Sequence, residues 1–440
     1  MNLSERDIQS VWHPFTHQKN MLPPIPIIRG KATLLIDEDG NEYIDAISSW
    51  WVTIHGHANP YIAQKIYEQA LQIEQVIFAG FTHEPAVKLA ERLLNILPNK
   101  FSKIFYSDNG STSVEVALKM ALQYWFNQSR VYSLQSTVGC ERTKILAFNN
   151  SYHGDTFGSM SVSDRSIFTL AFHDKLFEVI FIDTPTIENL EQLKYVIKAN
   201  ANELAAFIYE PLVQGAGGMK MYDAALMDEL LTIAKAQNII CIADEVMTGF
   251  GRTAKLFASE YMQNKPDIIC LSKALTGGTM ALGATACTQH IYDAFVSDNK
   301  LKTFFHGHSF TANPLACAAA NASMDLLLTE EYLKKIKWIA KQNKDFIETT
   351  QYKISNTKSK TKNWRSLGTI LAFDIETGED GYLNEISEKI TAYAMQNGVY
   401  IRPLGNTVYI MPPYCITANE LEKTYKLLNE IIYNVNQDIV

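Results

Sequence analysis

Long apolar runs are missing from this 440-residue chain. No stretch approaches the roughly 20 consecutive apolar residues that a membrane-crossing helix needs, and the amino terminus, MNLSERDIQSVWHPF, is interrupted by charges. A cytoplasmic protein with no membrane partner is expected. An excess of positive charge is missing too: 39 Lys and Arg stand against 47 Asp and Glu, a net charge of -8. That balance argues against nucleic acid as a partner, because gripping a phosphate backbone takes clustered cations that release counterions. Cysteine is sparse, and Cys140, Cys241, Cys270, Cys287, Cys317 and Cys415 show no C-x-x-C spacing. Most lie in apolar stretches and read as buried, reduced thiols. No internal repeat, low-complexity tract or Pro/Gly linker divides the chain.

What is present is the composition of a packed protein, 47% hydrophobic and 20% charged. Single cores rarely grow past roughly 250 to 300 residues, so two tightly packed domains are expected. Residues 1–60 read as an irregular arm with a hairpin turning at Asp39-Gly40. Residues 61–325 alternate helix-like segments with the apolar runs SKIFYS, KILAFNN, LAAFIYEP, IICIADEV and DIICLS. That alternation predicts a large α/β domain whose central sheet is mainly parallel and flanked by helices. Residues 326–440 form a smaller α+β domain, with a charged helix from EEYLKK onward and the strands GTILAFDI and TVYIMPP; TKSKTKNW reads as a surface loop.

Two of the apolar runs, IICIADEV and DIICLSKA, each end in a charged residue and are separated by a helix-length segment, TAKLFASEYMQNKP. A right-handed crossover would set them side by side and parallel, with Asp244 and Lys273 at the carboxyl edge where open α/β sheets bind ligands. A lysine amine able to bond a carbonyl carbon, beside a carboxylate able to keep a pyridine nitrogen protonated, is what a pyridoxal-phosphate site requires. The phosphate would sit where SKIFYS turns through DNGS into a helix with apolar residues at 114, 117, 118, 121, 122 and 125. There Gly110 and Ser111 offer amides and a hydroxyl at the positive helix end; a plain Ser N-cap is the alternative. Tyr152 and His153, after another strand, should reach the same edge, where an aromatic ring either stacks on a flat cofactor or packs in the core.

The segments DNGS, NSYHGDTFG, YEPLVQGAGG, IADEVMTGFGRT, DIICLSKALTGG and FFHGHSFTANPLACAAA, in this order, resemble the class III aminotransferases of pyridoxal-phosphate fold type I. The resemblance covers nearly the whole chain. Within the class, HPFT, SSWW, VYIRPLG and YIMPPY are similar to the branch that aminates 8-amino-7-oxononanoate to 7,8-diaminononanoate in biotin synthesis, usually taking the amino group from S-adenosylmethionine. The resemblance implies a ping-pong transaminase with pyridoxal 5'-phosphate as cofactor. It gives Lys273 the cofactor bond and the proton shuttle, Asp244 the pyridinium, Tyr152 the stacking ring, and Gly110 with Ser111 the phosphate. It also implies a homodimer with shared sites, Gly307 and Ser309 of HGHS closing the phosphate pocket of the other subunit. Phe15, Trp50, Trp51, Asp155, Arg252, Gly307, Arg402 and Tyr409, together with Tyr152 and Lys273, would line the substrate pocket, Arg402 gripping a carboxylate bidentately. Arg252 and Arg402 could equally serve structural ion pairs, and Trp51 a subunit interface.

Three positions depart from the family pattern. Met247 stands where many members carry Gln, Phe15 where several adenosylmethionine users carry Tyr, and HGHS where those relatives have HGPT. Lysine as donor is the alternative these departures raise; another omega-aminotransferase or a non-catalytic regulator on the same fold are the competing functions. No metal is expected. The triplets His55-Gly56-His57 and His306-Gly307-His308 have no carboxylate or cysteine at ligand spacing, and Gly215-Ala216-Gly217-Gly218 lacks the order of a dinucleotide fingerprint.

Overall fold

A computed structural model describes residues 1–129, 141–354, 359–378 and 384–437. The thiol of Cys140 lies outside them; Cys241, Cys270, Cys287 and Cys317 are buried and free, and Cys415 is half-buried and free. Among the described residues no helix is long and apolar enough to cross a membrane.

After a short helix, Leu3–Ser10, and a 3-10 turn, Gln18–Asn20, the chain forms strands β1 (Ile27–Lys31), β2 (Leu34–Asp37) and β3 (Glu42–Asp45). β2 and β3 form the expected hairpin, and Gly40 takes φ +86° at its tip, a conformation that a Cβ would strain. Seven strands then build the central sheet: β4 (Phe101–Ser107), β5 (Lys144–Phe148), β6 (Val179–Ile182), β7 (Leu204–Tyr209), β10 (Ile240–Asp244), β11 (Ile268–Leu271) and β12 (Gly283–Thr288). A two-residue ribbon, β8 (Val213–Gln214) with β9 (Lys220–Met221), closes the Gly-rich loop between them. The order across the sheet is β4-β12-β11-β10-β7-β5-β6, and only β12 runs against its neighbours. The runs read as buried strands are buried: every residue of β7, β10 and β11 is enclosed, as strands covered by helices on both faces must be.

Two expectations need correction. The connection from β10 to β11 holds no α-helix but a single 3-10 turn, Ala258–Tyr261. Its chain is wrapped around a buried carboxylate instead: Glu245 accepts the amides of Ala258 and Ser259 at 3.0 and 2.7 Å and the Thr248 hydroxyl at 2.6 Å. β10 and β11 are nevertheless adjacent and parallel, with Asp244 opposite Cys270. The segment TKSKTKNW is also not all loop, because β13 (Thr361–Leu367) begins within it and pairs with β14 (Ile370–Ile375); residues 357 and 358 lie outside the described residues.

β14 pairs in turn with β16 (Thr407–Ile410), a three-stranded sheet backed by the long helix Glu330–Ile354. Strand β15 (Val399–Tyr400) leaves that region and adds in parallel to β3, so the amino-terminal hairpin and the carboxyl-terminal part share one sheet. One apolar cluster runs from β3 and the Trp51 turn through the central sheet to the last helix, Ala418–Asn436. This continuity accounts for the missing linker: burial of that size holds neighbouring parts together.

Candidate active site

Five strands deliver the site residues to one edge. β11 ends two residues before Lys273, β10 ends at Asp244, β7 ends one residue before Glu210, β5 leads to Tyr152 and His153, and β4 leads to Gly110 and Ser111. All of them line one cavity of about 720 Å³, at the carboxyl ends of parallel strands where such folds place ligands.

At the phosphate corner the helix Gly110–Gln128 is capped by Asn109, not by Ser111. The Asn109 side chain accepts the Thr112 amide at 2.9 Å, and its carbonyl accepts the Ser113 amide at 3.0 Å. The amides of Gly110 and Ser111 precede the first intrahelical bond and face the positive end of the helix, a ready anion seat. Gly110 is set there by packing, since a Cβ would lie 2.7 Å from Val246 Cγ1. The Ser111 hydroxyl accepts the Thr156 amide at 3.0 Å, which draws the loop carrying Tyr152 and Asp155 onto the helix start.

Asp244 is 5% exposed. Its Oδ2 accepts from His153 Nδ1 at 2.7 Å and its Oδ1 accepts the Val246 amide at 3.1 Å. His153 Nε2 is buried and without a partner, so Nδ1 is the nitrogen that has an anion to donate to. Lys273 sits in a left-handed conformation, φ +47°, with Nζ 4.4 Å from the centroid of the Trp51 ring. Burial pulls its amine down to about 8, against the opposing pull of Asp244 and Glu210. An amine so shifted is neutral in a useful fraction near neutral pH and can act as nucleophile or base. Burial and the Asp155 carboxylate hold the Tyr152 phenol well above its usual range, so it stays protonated.

The substrate wall comes from elsewhere in the chain. In SSWW, Ser48, Ser49 and Trp51 all take positive φ, 53°, 60° and 67°. The turn is held by Asp45, which accepts the Ile47 and Ser49 amides at 3.2 and 2.6 Å, and by Ser48 Oγ, which donates to the Met411 carbonyl at 2.8 Å. Trp51 Nε1 donates to the Tyr409 hydroxyl at 2.9 Å. Trp51 faces the cofactor cavity; Trp50, 40% exposed, faces a separate cavity of about 510 Å³ that also includes Arg402 and Tyr409. Arg402 lies over the Trp50 ring, its guanidinium carbon 5.1 Å from the centroid. Phe15 packs edge-on to Trp50 at 5.5 Å and to Phe168 at 5.8 Å, and Phe168 meets Tyr152 at 6.5 Å.

Some expected residues do not join this assembly. Arg252 is fully buried behind the wall rather than opening into it: Nη1 donates to the Pro412 carbonyl at 3.0 Å and Nη2 to the Trp51 carbonyl at 3.2 Å. It reaches the cavity only through Trp51. Gly307 and Ser309 are exposed and line none of the cavities described. Asp155 is exposed at the cavity mouth, and Met247 is buried in its wall. The histidine triplets diverge, His55 bonding Ser323 at 3.0 Å and His57 bonding Asp45 at 2.9 Å.

Glu210 is the residue the sequence reading passed over. It is 6% exposed and bridges two loops, accepting the Tyr152 amide at 3.1 Å and the Gly215 amide at 2.9 Å. Its signal was available, for LAAFIYE ends a buried strand in a carboxylate as IICIAD does. Phe168 left no signal, because only the fold brings it to Phe15 and Tyr152.

A family model for "Aminotransferase class-III" matches residues 15–432. The chain belongs to the class-III aminotransferases. It is 44% identical over 432 residues to the adenosylmethionine-8-amino-7-oxononanoate aminotransferase of Synechococcus elongatus, covering 96% of this chain and 98% of that one. The crystal structure of the Methanocaldococcus jannaschii protein of the same name superposes with a TM-score of 0.90 at 31% identity, covering 98% of each chain. An amine transaminase from an uncultivated Pseudomonas species, in a PLP-bound form, gives 0.86 at 28% identity, covering 97% of this chain and 99% of that chain. This class-III aminotransferase thus has the mixed α/β fold of its solved relatives. Its edge offers the donor set a pyridoxal phosphate group requires: free helix amides, a buried carboxylate, a depressed amine and an aromatic face.

Proposed function

We propose that this chain aminates 8-amino-7-oxononanoate to 7,8-diaminononanoate, with pyridoxal 5'-phosphate as cofactor and S-adenosylmethionine as amino donor. The observation that carries the reading is Trp51, fixed between Lys273 and Tyr409, with Trp50 and Arg402 opening beside it a mostly apolar cavity that has one cation. A chain of methylenes ending in a carboxylate suits that combination. The name shared by the Synechococcus and Methanocaldococcus relatives supports the same substrates.

When bound, the cofactor supplies an aldehyde carbon that receives the amino group and a ring that withdraws electrons from it. Lys273 would hold the cofactor, and its amine, its pKa lowered by burial, can carry a proton to and from the substrate carbon. Asp244, anchored by His153 and the Val246 amide, would keep the ring nitrogen protonated. Tyr152 covers the ring, Gly110 and Ser111 take the phosphate, and Asp155, Phe15 and Tyr409 complete the pocket with Arg252 bracing Trp51. Gly307 and Ser309 close the phosphate seat of a second copy, making the active unit a homodimer. Residues 1–60, 61–325 and 326–440 serve as arm, large domain and small domain of a cytoplasmic enzyme.

The test is to mix cofactor-saturated protein with S-adenosylmethionine or, separately, L-lysine, and follow the visible absorbance of the lysine-bound cofactor. Loss with adenosylmethionine, restored by 8-amino-7-oxononanoate, is expected. Loss with lysine alone would move the donor; loss only with an omega-amino acid would overturn the substrate reading.

A further inference from the structure

Lys273 stands apart from the other residues of the edge. It lies two residues beyond β11 and opens the 3-10 turn Lys273–Thr276 at φ +47°, so the strand register alone does not place its amine. Within the turn the Ala274 carbonyl accepts the Gly277 amide at 2.9 Å. That carbonyl also accepts a hydroxyl from outside the turn: Ser323 Oγ, on the helix Pro314–Leu327, donates to it at 3.4 Å. Behind Ser323 stands His55, 3% exposed, with Nε2 3.0 Å from the same hydroxyl oxygen.

The Ser323 hydroxyl has one proton and gives it to Ala274, so toward His55 it accepts. Nε2 therefore carries the imidazole proton and Nδ1 is bare; Nδ1 is buried and has no partner among the described residues. Burial pulls the imidazole down to about 3, which keeps the ring neutral and its tautomer fixed. For packing alone such a ring is a poor choice, because an unpaired buried acceptor carries a cost that an apolar ring of similar size avoids. The ring is closely held: a Cβ on Gly277 would lie 2.7 Å from His55 Cδ2, and the Tyr332 ring meets it edge-on at 5.1 Å.

The same stretch of chain meets the turn on its other side, since the Trp51 ring lies 4.4 Å from Lys273 Nζ. We propose that His55 is a positioning residue for Lys273: through Ser323 it holds the turn that carries the amine, so that residues 51–55 fix the turn from behind while facing the amine in front. The proposal rests on Lys273 being the residue that bonds the cofactor. An amine must meet an aldehyde carbon within a narrow range of distance and angle, and a small misplacement of the turn is costly.

The test follows the growth of visible absorbance as pyridoxal 5'-phosphate bonds the cofactor-free, full-length chain, beside calorimetric binding of pyridoxine 5'-phosphate, which has the ring and phosphate but no aldehyde. His55→Phe and Ser323→Ala should each slow bonding by about tenfold or more. The double variant should be no slower than the slower single one, because the two residues act as one chain of bonds. His55→Gln, whose amide nitrogen can reach Ser323 as Nε2 does, should stay within about threefold of the unmodified protein. Affinity for pyridoxine 5'-phosphate should hold in all four. The pH midpoint of bonding follows an amine near 8. It should rise by about half a unit or more in His55→Phe, since a loosened turn lets water reach the amine; the charges acting on that amine, Asp244, Glu210 and Arg252, are unaltered. His55→Gln as slow as His55→Phe would make the ring mere filling and overturn the proposal. So would single effects that multiply in the double variant, or pyridoxine 5'-phosphate affinity falling in step with bonding. If His55→Phe does not fold, Ser323→Ala decides: bonding at the unmodified rate overturns the proposal, and slow bonding with intact pyridoxine 5'-phosphate affinity supports it. Should the unmodified chain form no bond at Lys273, the role given to that lysine falls; if it does and the variants match it, only the positioning falls.

Discussion

The cofactor edge and the aromatic wall of this molecule are built by different means. At the edge, regular buried strands run the same way and each releases one chemical group as it ends, so position follows from the parallel register. At the wall, one short turn takes three positive φ values outside glycine, and it persists because adjacent Asp45 and the distant groups Met411, Tyr409 and Arg252 agree on it. Strained backbone of this kind costs about 1 to 3 kcal/mol per residue and survives only where its surroundings over-determine it. The edge should therefore tolerate little chemical change but much change in its surroundings, and the wall the reverse.

The largest effect that would expose this asymmetry is at the edge. Lys273→Ala should abolish transamination, with about 100 to 10,000-fold lost through the missing proton carrier alone. The absorbance of the lysine-bound cofactor should vanish while the fold is kept, the amine's contact being with the face of Trp51. Asp244→Asn comes next. A neighbouring carboxylate shifts such a protonation equilibrium by about 1 to 3 pKa units, so turnover should fall about 10 to 1,000-fold with cofactor still bound. Asp45→Ala tests the wall. It removes the acceptor of the Ile47 and Ser49 amides and of His57 Nε2, and should cost about 2 to 4 kcal/mol in urea unfolding. KM values for the substrates should rise while cofactor absorbance stays. Cofactor loss in Asp45→Ala with normal KM values would break the comparison, since wall and edge would then be one unit.

The same contrast explains what could be read in advance. Asp244, Lys273, Gly110 and Tyr152 stand directly after apolar runs, so a local pattern and the parallel-sheet rule were enough to bring them together. The hairpin at Gly40 was legible for a similar reason, a turn dipeptide between alternating segments. The crossover after Asp244 has the spacing of a helix, whereas buried Glu245 gathers that segment into coil. Arg252 was legible as important but not in place: its sequence neighbours give no hint that its guanidinium would be spent on the Trp51 and Pro412 carbonyls. Phe168 and the turn partner Met411 lie far along the chain from Phe15 and Ser48, which they meet, and contacts of that separation leave no local trace.

Glu210 joins the two regions and gives the finest test. Burial pushes its carboxyl up to about 7 from an ordinary 4.5, and Asp244 adds to the rise, while His153 and the Gly215 and Tyr152 amides oppose it. Across that window the folded chain retains a proton that the unfolded chain has released. Stability from this group is thus complete below the ordinary value and is lost as pH rises toward the folded one. Glu210→Gln cannot titrate, and its single carbonyl oxygen accepts comfortably from only one of the two amides, so it should lower the urea midpoint most at low pH and flatten the decline between about pH 5 and 7. If the slope persists in the variant, it belongs to Glu245, whose carboxyl burial also raises. Glu245 serves only the coil between β10 and β11, and the bridge from edge to wall would then be carried by hydrogen bonds alone.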